Sequence, residues 1–252
     1  MNRFKTIIYL TLVLTIISCQ SDDDNLDSVN VINTVKLSDM IVNRTVETGA
    51  VIACAASDAT NADVVHAFYY LEEGATNVRF FETNTTDIDK DDYSSYRELA
   101  ITSQPLFDGY IYKFTRPFAH EQWIIIAFEL DGEIKLSNPI RTKNVTKPTV
   151  WGNKLMINQQ TSTMPVFSWE HNANGDNAIY FQVVSTTDNG LLSGTYTYEN
   201  QFQYYDTSNV VLNITEENPL DLTIDNSYKF TLMDVSEDNW VNAVIQSIFM
   251  VE

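Results

Sequence analysis

Basic residues and histidine are scarce in this chain. Lys and Arg number 15 against 34 Asp and Glu in 252 residues, a net charge of −19. Phosphate recognition needs clustered Lys and Arg, so this balance excludes nucleic acid as a partner and repels anionic headgroups. His66, His120 and His171 stand alone, without the close spacing that sets two imidazoles on one zinc ion. A Gly-x-Ser-x-Gly elbow, a Walker loop and a dinucleotide fingerprint are all missing. Carboxylate pairs abound, and counting alone does not single out a glycosidase pair among them. The expectation is a protein that is not an enzyme and requires no cofactor.

Long apolar runs are rare too. One occurs, Ile7 to Ile17, behind Arg3 and Lys5. A bilayer-spanning helix needs roughly 20 residues, so this shorter run suits the apolar region of a cleaved secretory signal. It ends in Ile16-Ile17-Ser18-Cys19, which resembles the lipobox of bacterial lipoprotein precursors. The resemblance implies that residues 1–18 are a signal peptide and that Cys19 becomes the N-terminus. Cys19 would then carry a diacylglyceryl thioether and an amide-linked acyl chain such as palmitate. Each buried CH₂ adds about 0.8 kcal/mol, so several chains hold a protein to a leaflet where one does not.

Residues 19–29 read as a disordered acidic tether, because Gln20-Ser21-Asp22-Asp23-Asp24-Asn25 offers nothing apolar to bury. This stretch resembles the export signals of surface lipoproteins in the Bacteroidetes lineage. That resemblance implies an outward-facing protein on the outer membrane, its lipid in the outer leaflet; a plain solvated spacer would leave it facing the periplasm. Removing Arg3 and Lys5 with the signal leaves 13 Lys and Arg against 34 Asp and Glu, a net of −21. Such an excess keeps an exported protein soluble.

With Cys19 lipidated, Cys54 has no partner and no disulfide forms within the chain. Cys54 lies in the apolar run Val51–Ala56 and reads as a small buried hydrophobe. Core packing alone must hold the fold. The sequons at Asn43, Asn84, Asn144 and Asn213 read as chance in a bacterial chain rich in Asn and Thr.

From about residue 30 short alternating segments replace any helical period. Tyr110, Tyr112 and Phe114 alternate with Ile111 and Lys113; Tyr228, Phe230 and Leu232 alternate with Lys229, Thr231 and Met233; Val210, Leu212 and Ile214 do likewise. Period two marks strands with one face buried. Asp131-Gly132, Asn174-Gly175 and Asp188-Asn189-Gly190 are turn signals. The pattern predicts an all-β chain of two tandem sandwiches, residues 30–144 and 145–252, divided in the polar stretch before Pro148.

The second half carries a family resemblance. Pro165-Val166-Phe167-Ser168-Trp169 is similar to the second strand of fibronectin type III domains, and Leu222 followed by Tyr228 resembles that family's step into its sixth strand. Ile224 stands where the family has Pro. The resemblance makes Trp169 a core residue and Tyr228 a tyrosine-corner residue, its hydroxyl bonded to backbone upstream. The first half is expected to be immunoglobulin-like, with Val51–Ala56 as strand B, Val64–Leu71 as C, Tyr110–Phe114 as E, Trp123–Leu130 as F and Glu133–Ile140 as G.

Two stretches are candidate sites. Asp87, Asp89, Asp91, Ser95 and Glu98 fall at positions 1, 3, 5, 9 and 12 of a loop whose spacing resembles an EF-hand. That spacing suits Ca²⁺, although Asp92 stands where Gly makes the sharp turn, and a solvated acidic loop is the plainer reading. Tyr196, Tyr198, Tyr204 and Tyr205 lie among Glu199, Asn200, Gln201 and Gln203. Aromatic faces beside such groups stack and hydrogen-bond sugars; alternatively the rings pack the sandwich. Trp123 and Trp169 are expected in the core, Trp151 and Trp240 at domain ends. Three readings of function result: a lipid-anchored surface binding or adhesion module, a glycan-binding accessory of a polysaccharide uptake system, and a ligand-free spacer. The partner would accordingly be an extracellular protein, a glycan or none.

Overall fold

The computed structural model describes residues 32–171, 176–215 and 218–252; the signal peptide, Cys19, the acidic tether and the Asn174-Gly175 turn lie outside the described residues. No helix among the described residues is long and apolar enough to cross a membrane. The first half comprises β1 (Ile32–Lys36), the one-turn helix α1 (Leu37–Ile41), β2 (Val46–Val51), β3 (Ala53–Ser57), β4 (Val64–Tyr70), β5 (Thr76–Glu82), β6 (Arg97–Leu99), β7 (Gln104–Leu106), β8 (Ile111–Pro117), β9 (Trp123–Leu130), β10 (Glu133–Ser137) and β11 (Ile140–Arg141). The second half comprises β12 (Val150–Gly152), β13 (Met156–Asn158), β14 (Val166–Ser168), β15 (Asn177–Thr186), β16 (Leu191–Thr197), β17 (Gln201–Gln203), β18 (Val210–Asn213), β19 (Ser227–Ser236) and β20 (Val241–Met250).

Each half is a sandwich of two sheets, and the strand orders correspond. The larger sheet runs β1-β6-β5-β9-β10-β2 in the first half, with β11 also on β9, and β18-β16-β15-β19-β20-β12 in the second. The smaller sheet is β3-β4-β8-β7 in the first and β13-β14-β17 in the second. Both halves share one crossing. β2 runs parallel to β10, and β12 to β20, and the chain then crosses to the other sheet as β3 or β13. In the first half Gly49 precedes this crossing, at φ +75° where the register of the β2–β10 pair shifts. A side chain there would lie 3.0 Å from the Asn138 amide oxygen, and a positive φ suits glycine. Two tandem immunoglobulin- or fibronectin-III-like sandwiches is therefore the fold.

Several expected strands fall where the sequence puts them. The Asp131-Gly132 hairpin joins β9 and β10, with both residues at positive φ as a tight two-residue turn requires. Tyr228 is a tyrosine corner: its hydroxyl accepts the Thr223 N–H at 3.0 Å. The first half needs two corrections. β4 pairs with both β3 and β8 in the smaller sheet, so Val64–Tyr70 is strand B and not C, and the Val51–Ala56 run expected as B is instead the end of β2 and the edge strand β3. Strand C is β5, beside β9, which the sequence reading passed over.

The cores follow from alternation. Ala55, Val65, Ala67, Tyr69, Phe80, Phe114, Ile124, Ile126 and Phe128 fill the first sandwich. Phe167, Trp169, Tyr180, Val184, Phe202, Tyr204, Phe230, Leu232 and Phe249 fill the second. Opposite faces of the same strands are covered as well. Ile125 and Ala127 on β9 pack with Leu37 of α1, together with half-buried Trp123, whose indole N–H donates to the Thr86 carbonyl at 3.2 Å. Burial on both faces explains why β9 reads as an apolar run from Trp123 to Phe128.

The two sandwiches share a third core. Ala56, Phe68 and Ile111, on the outer face of the first sandwich's smaller sheet, pack with Phe181, Val183, Met233, Val235, Val241 and Val244 on the outer face of the second's larger sheet. Backbone bonds close its edge, with Ala55 N–H donating to the Asn239 carbonyl at 3.0 Å and Arg141 N–H to that of Asp238 at 3.1 Å. Ser57 and Thr149 exchange bonds: each backbone N–H donates to the other's hydroxyl, at 2.8–2.9 Å. Trp151 and Trp240 both serve this seam. Trp151 donates to the Ser57 carbonyl at 3.0 Å. Trp240, wholly buried, joins the first sandwich's core and donates to the Lys147 carbonyl at 2.8 Å.

Candidate functional site

The seam holds an apolar cavity of about 230 Å³, open on one side. Its position follows from strand alternation. β3 and β4 turn Cys54, Phe68 and Tyr70 outward, and β15, β16 and β19 turn Phe181, Tyr196 and Met233 to meet them. Phe181 and Tyr196 stack with centroids 4.5 Å apart. Gly49 and Leu212 lie exposed at its rim. Burial pushes the Cys54 thiol up to about 12 and raises the Tyr196 hydroxyl well above its usual value. Cys54 is thus a thiol and not a thiolate at neutral pH, and it acts as wall rather than nucleophile. Such a lining suits the apolar part of a ligand; a dry cavity of comparable size holds a small hydrocarbon.

The four tyrosines do not form one surface. Tyr196 lines the seam cavity. Tyr198 is exposed at the end of β16, and Tyr205 follows β17 at φ +72°. Tyr204 is fully buried in the second core, with its hydroxyl donating to the Leu220 carbonyl. Assigning Tyr204 to ligand contact is corrected by that burial: its ring is packing, and its hydroxyl closes a loop 16 residues downstream.

The acidic loop is closed by its own side chains. Asp92, at the EF-hand glycine position, accepts from the Ser94 N–H and from the hydroxyls of Ser94 and Ser95, at 3.1, 2.7 and 2.6 Å. Those bonds hold its carboxyl below the usual range. Asp89 accepts the Asp91 N–H at 3.0 Å, Asp91 pairs with Lys90 at 2.9 Å, and Asp87 donates its N–H to Thr85. Glu98 sits on β6 and pairs with Arg79 at 3.3 Å. Buried Tyr96 pins the loop through its hydroxyl to the Lys90 carbonyl at 2.7 Å. Ser95 and Glu98 are thus turned to other partners, and no three His, Cys, Asp or Glu among the described residues form a metal-holding group. The Asp-x-Ser-Ser run at 92–95 was the available signal for a self-capped turn.

No family model matches the sequence, and no curated protein sequence matches it either. Solved structures similar to it include a two fibronectin type-III domain segment from chicken tenascin, at 9% identity and a TM-score of 0.31 over 79% of this chain and 97% of that one. The chicken interferon gamma receptor alpha chain gives 11% and 0.25, over 79% and 96%. The glycoside hydrolase domain of Endo-D (Spr0440) from Streptococcus pneumoniae R6 gives 10% and 0.31, over 79% and 32%. The fold assignment rests on the strand order above.

Proposed function

We propose that this chain is a lipid-anchored binding module of the bacterial cell surface, without enzymatic activity, that takes the apolar part of its partner into the seam between its sandwiches. The observation that carries the reading is the seam cavity: a preformed apolar chamber built jointly by two domains, the commonest setting for a ligand site. Cys19 and the tether supply the anchor and the reach. The aromatic segment supports glycan binding less well, because Tyr204 is core and Tyr196 belongs to the seam.

The address and the site are tested separately. Protease treatment of intact cells is expected to remove the protein, and Cys19→Ser to release it from membranes; protection until lysis would move it to the periplasmic face. For the site, a fluorescent apolar probe such as anilinonaphthalene sulfonate is titrated into the folded protein. Binding is expected to saturate and to vanish in Cys54→Leu, which fills the cavity while leaving the melting temperature unchanged or higher. A protein that binds no probe favours the spacer reading instead.

A further inference from the structure

The floor of the seam cavity runs to the edge of a sheet. Val244, Met233, Phe181, Tyr196 and Leu212 are cross-strand neighbours in one row over β20, β19, β15, β16 and β18. Cross-strand partners share a face, and the last four of these line the cavity. Exposure climbs along the row. Met233 and Phe181 are buried, Tyr196 is half-buried and Leu212 is 42% exposed. Among the described residues β18 is the edge strand of its sheet. The open side of the cavity therefore lies at the β18 edge, where the row stops.

That edge is left open to pairing. Edge strands are ordinarily blunted by charge, by proline or by cover, and three others here are. β7 carries Pro105, β2 carries Glu47 paired with Lys135, and β3 is covered where the Ala55 N–H donates to Asn239. β18 is Val-Val-Leu-Asn, without charge or proline, and Val211 on it is 48% exposed. Ile214 turns its N–H inward to the Gly194 carbonyl at 2.9 Å. Antiparallel alternation then turns the Asn213 N–H outward, away from β16. The register shift of the β16–β18 pair falls at the other end, toward Val210. A free backbone edge and the mouth of the apolar cavity thus coincide.

We propose that the partner presents an extended peptide, which pairs with β18 as an added strand and puts one apolar side chain into the seam cavity. This rests on the reading of the seam as a binding site and names the form of what binds there. An added strand lies about 4.8 Å from its neighbour. Its residue opposite Leu212 continues the row Phe181-Tyr196-Leu212 at the open side of the cavity. Strand addition takes its affinity from main-chain bonds and its specificity from side-chain pockets. A phenyl ring fits the volume, since a cavity of about 150 Å³ holds benzene. A free aliphatic chain would use the cavity and leave the β18 backbone to water. A second copy of this chain would bring a charge of −19 against its like. The partner is therefore a neutral or basic segment of another protein.

The test follows backbone amides of the purified protein by NMR while end-blocked peptides Lys-Thr-Val-Phe-Val-Thr-Lys are titrated, with Phe, Leu or Ala at the centre. The Phe peptide is expected to shift the Asn213 amide saturably, to slow its exchange with solvent and to displace anilinonaphthalene sulfonate from the seam. Ala at the centre is expected to weaken binding about tenfold or more, as loss of a buried aromatic side chain does. Methylating alternate peptide nitrogens keeps the side chains and removes the ladder donors, and is expected to abolish binding. Leu212→Lys, at an exposed position, is expected to abolish it too. Cys54→Leu is expected to erase the preference for Phe over Ala while the Asn213 amide still responds. Equal binding of the methylated peptide, no preference for Phe, or no saturable shift with any peptide overturns the proposal. Such failure beside intact probe binding overturns the added strand alone; with probe binding lost as well, the seam reading falls too. Protection of the Asn213 amide by self-association without peptide gives the edge to a second copy, and equally overturns it.

Discussion

The two sandwiches repeat one strand order and fill it by different means. The first spreads its core over a four-stranded smaller sheet with seven-residue strands β4 and β8. It adds a buried ion pair, in which Arg116 holds Glu82 through two bonds at 2.7 and 2.8 Å while its guanidinium lies over the Phe118 ring. The second has a smaller sheet of three short strands and gathers rings instead. Phe167 lies 4.1 Å from Phe230 in a stacked pair, with Phe249 edge-on to it at 5.1 Å and Trp169 edge-on to Tyr180. Strand order tolerates either solution, because a core needs buried area and complementary shape rather than particular residues.

The seam makes the strongest claim about this pair, that neither sandwich is complete alone. Trp240→Ala is expected to cost about 3–5 kcal/mol, as loss of a buried Trp does. Calorimetry should still show one transition, with the first sandwich destabilised by a residue belonging to the second. Two resolved transitions would break the comparison and make the sandwiches independent.

Arg116→Met is expected to cost about 3 kcal/mol, because it leaves the Glu82 carboxylate buried without its cation. Denaturant unfolding of the variant checks it, and Arg116→Met with Glu82→Leu should recover most of the loss. Tyr228→Phe removes the corner bond and is expected to cost about 1 kcal/mol. An equal melting temperature for the variant would make that bond dispensable.

The smallest effect concerns acid. His66 first, then the Thr60 N–H and hydroxyl, hold the Asp58 carboxyl far below its usual value. A depressed carboxylate stabilises the fold above its unfolded value, near 4, and the contribution is lost as pH falls toward the lower folded value. Melting temperature should therefore decline below about pH 4, and less steeply in Asp58→Asn. Parallel declines would assign the acid sensitivity to other carboxylates.

Much of this was legible in the chain. The alternation around Tyr228, the Leu222-to-Tyr228 step and Asp131-Gly132 each reports a local constraint, and each reappears as strand, corner or turn. Trp169 likewise declared itself by its strand. The misplaced strand in the first half has a physical origin. β4 is covered on one face by its own core and on the other by the neighbouring sandwich, so its run Val64–Tyr70 lacks the alternation that would have located it. The seam was illegible for the same reason: which outer faces meet depends on both halves at once. Tyr204 differs from Tyr205 only in pointing inward, which a run of adjacent aromatics does not disclose.

Trp240 also sets an order of events. A chain emerging from its N-terminus ordinarily lets each domain fold as it appears. Here the first sandwich reaches Arg141 with a gap in its core, and the ring that fills it arrives about a hundred residues later. Until then Ala56, Phe68 and Ile111 stay uncovered. That leaves the growing chain with an apolar face open until its last strands are made, and closes both sandwiches in one late step.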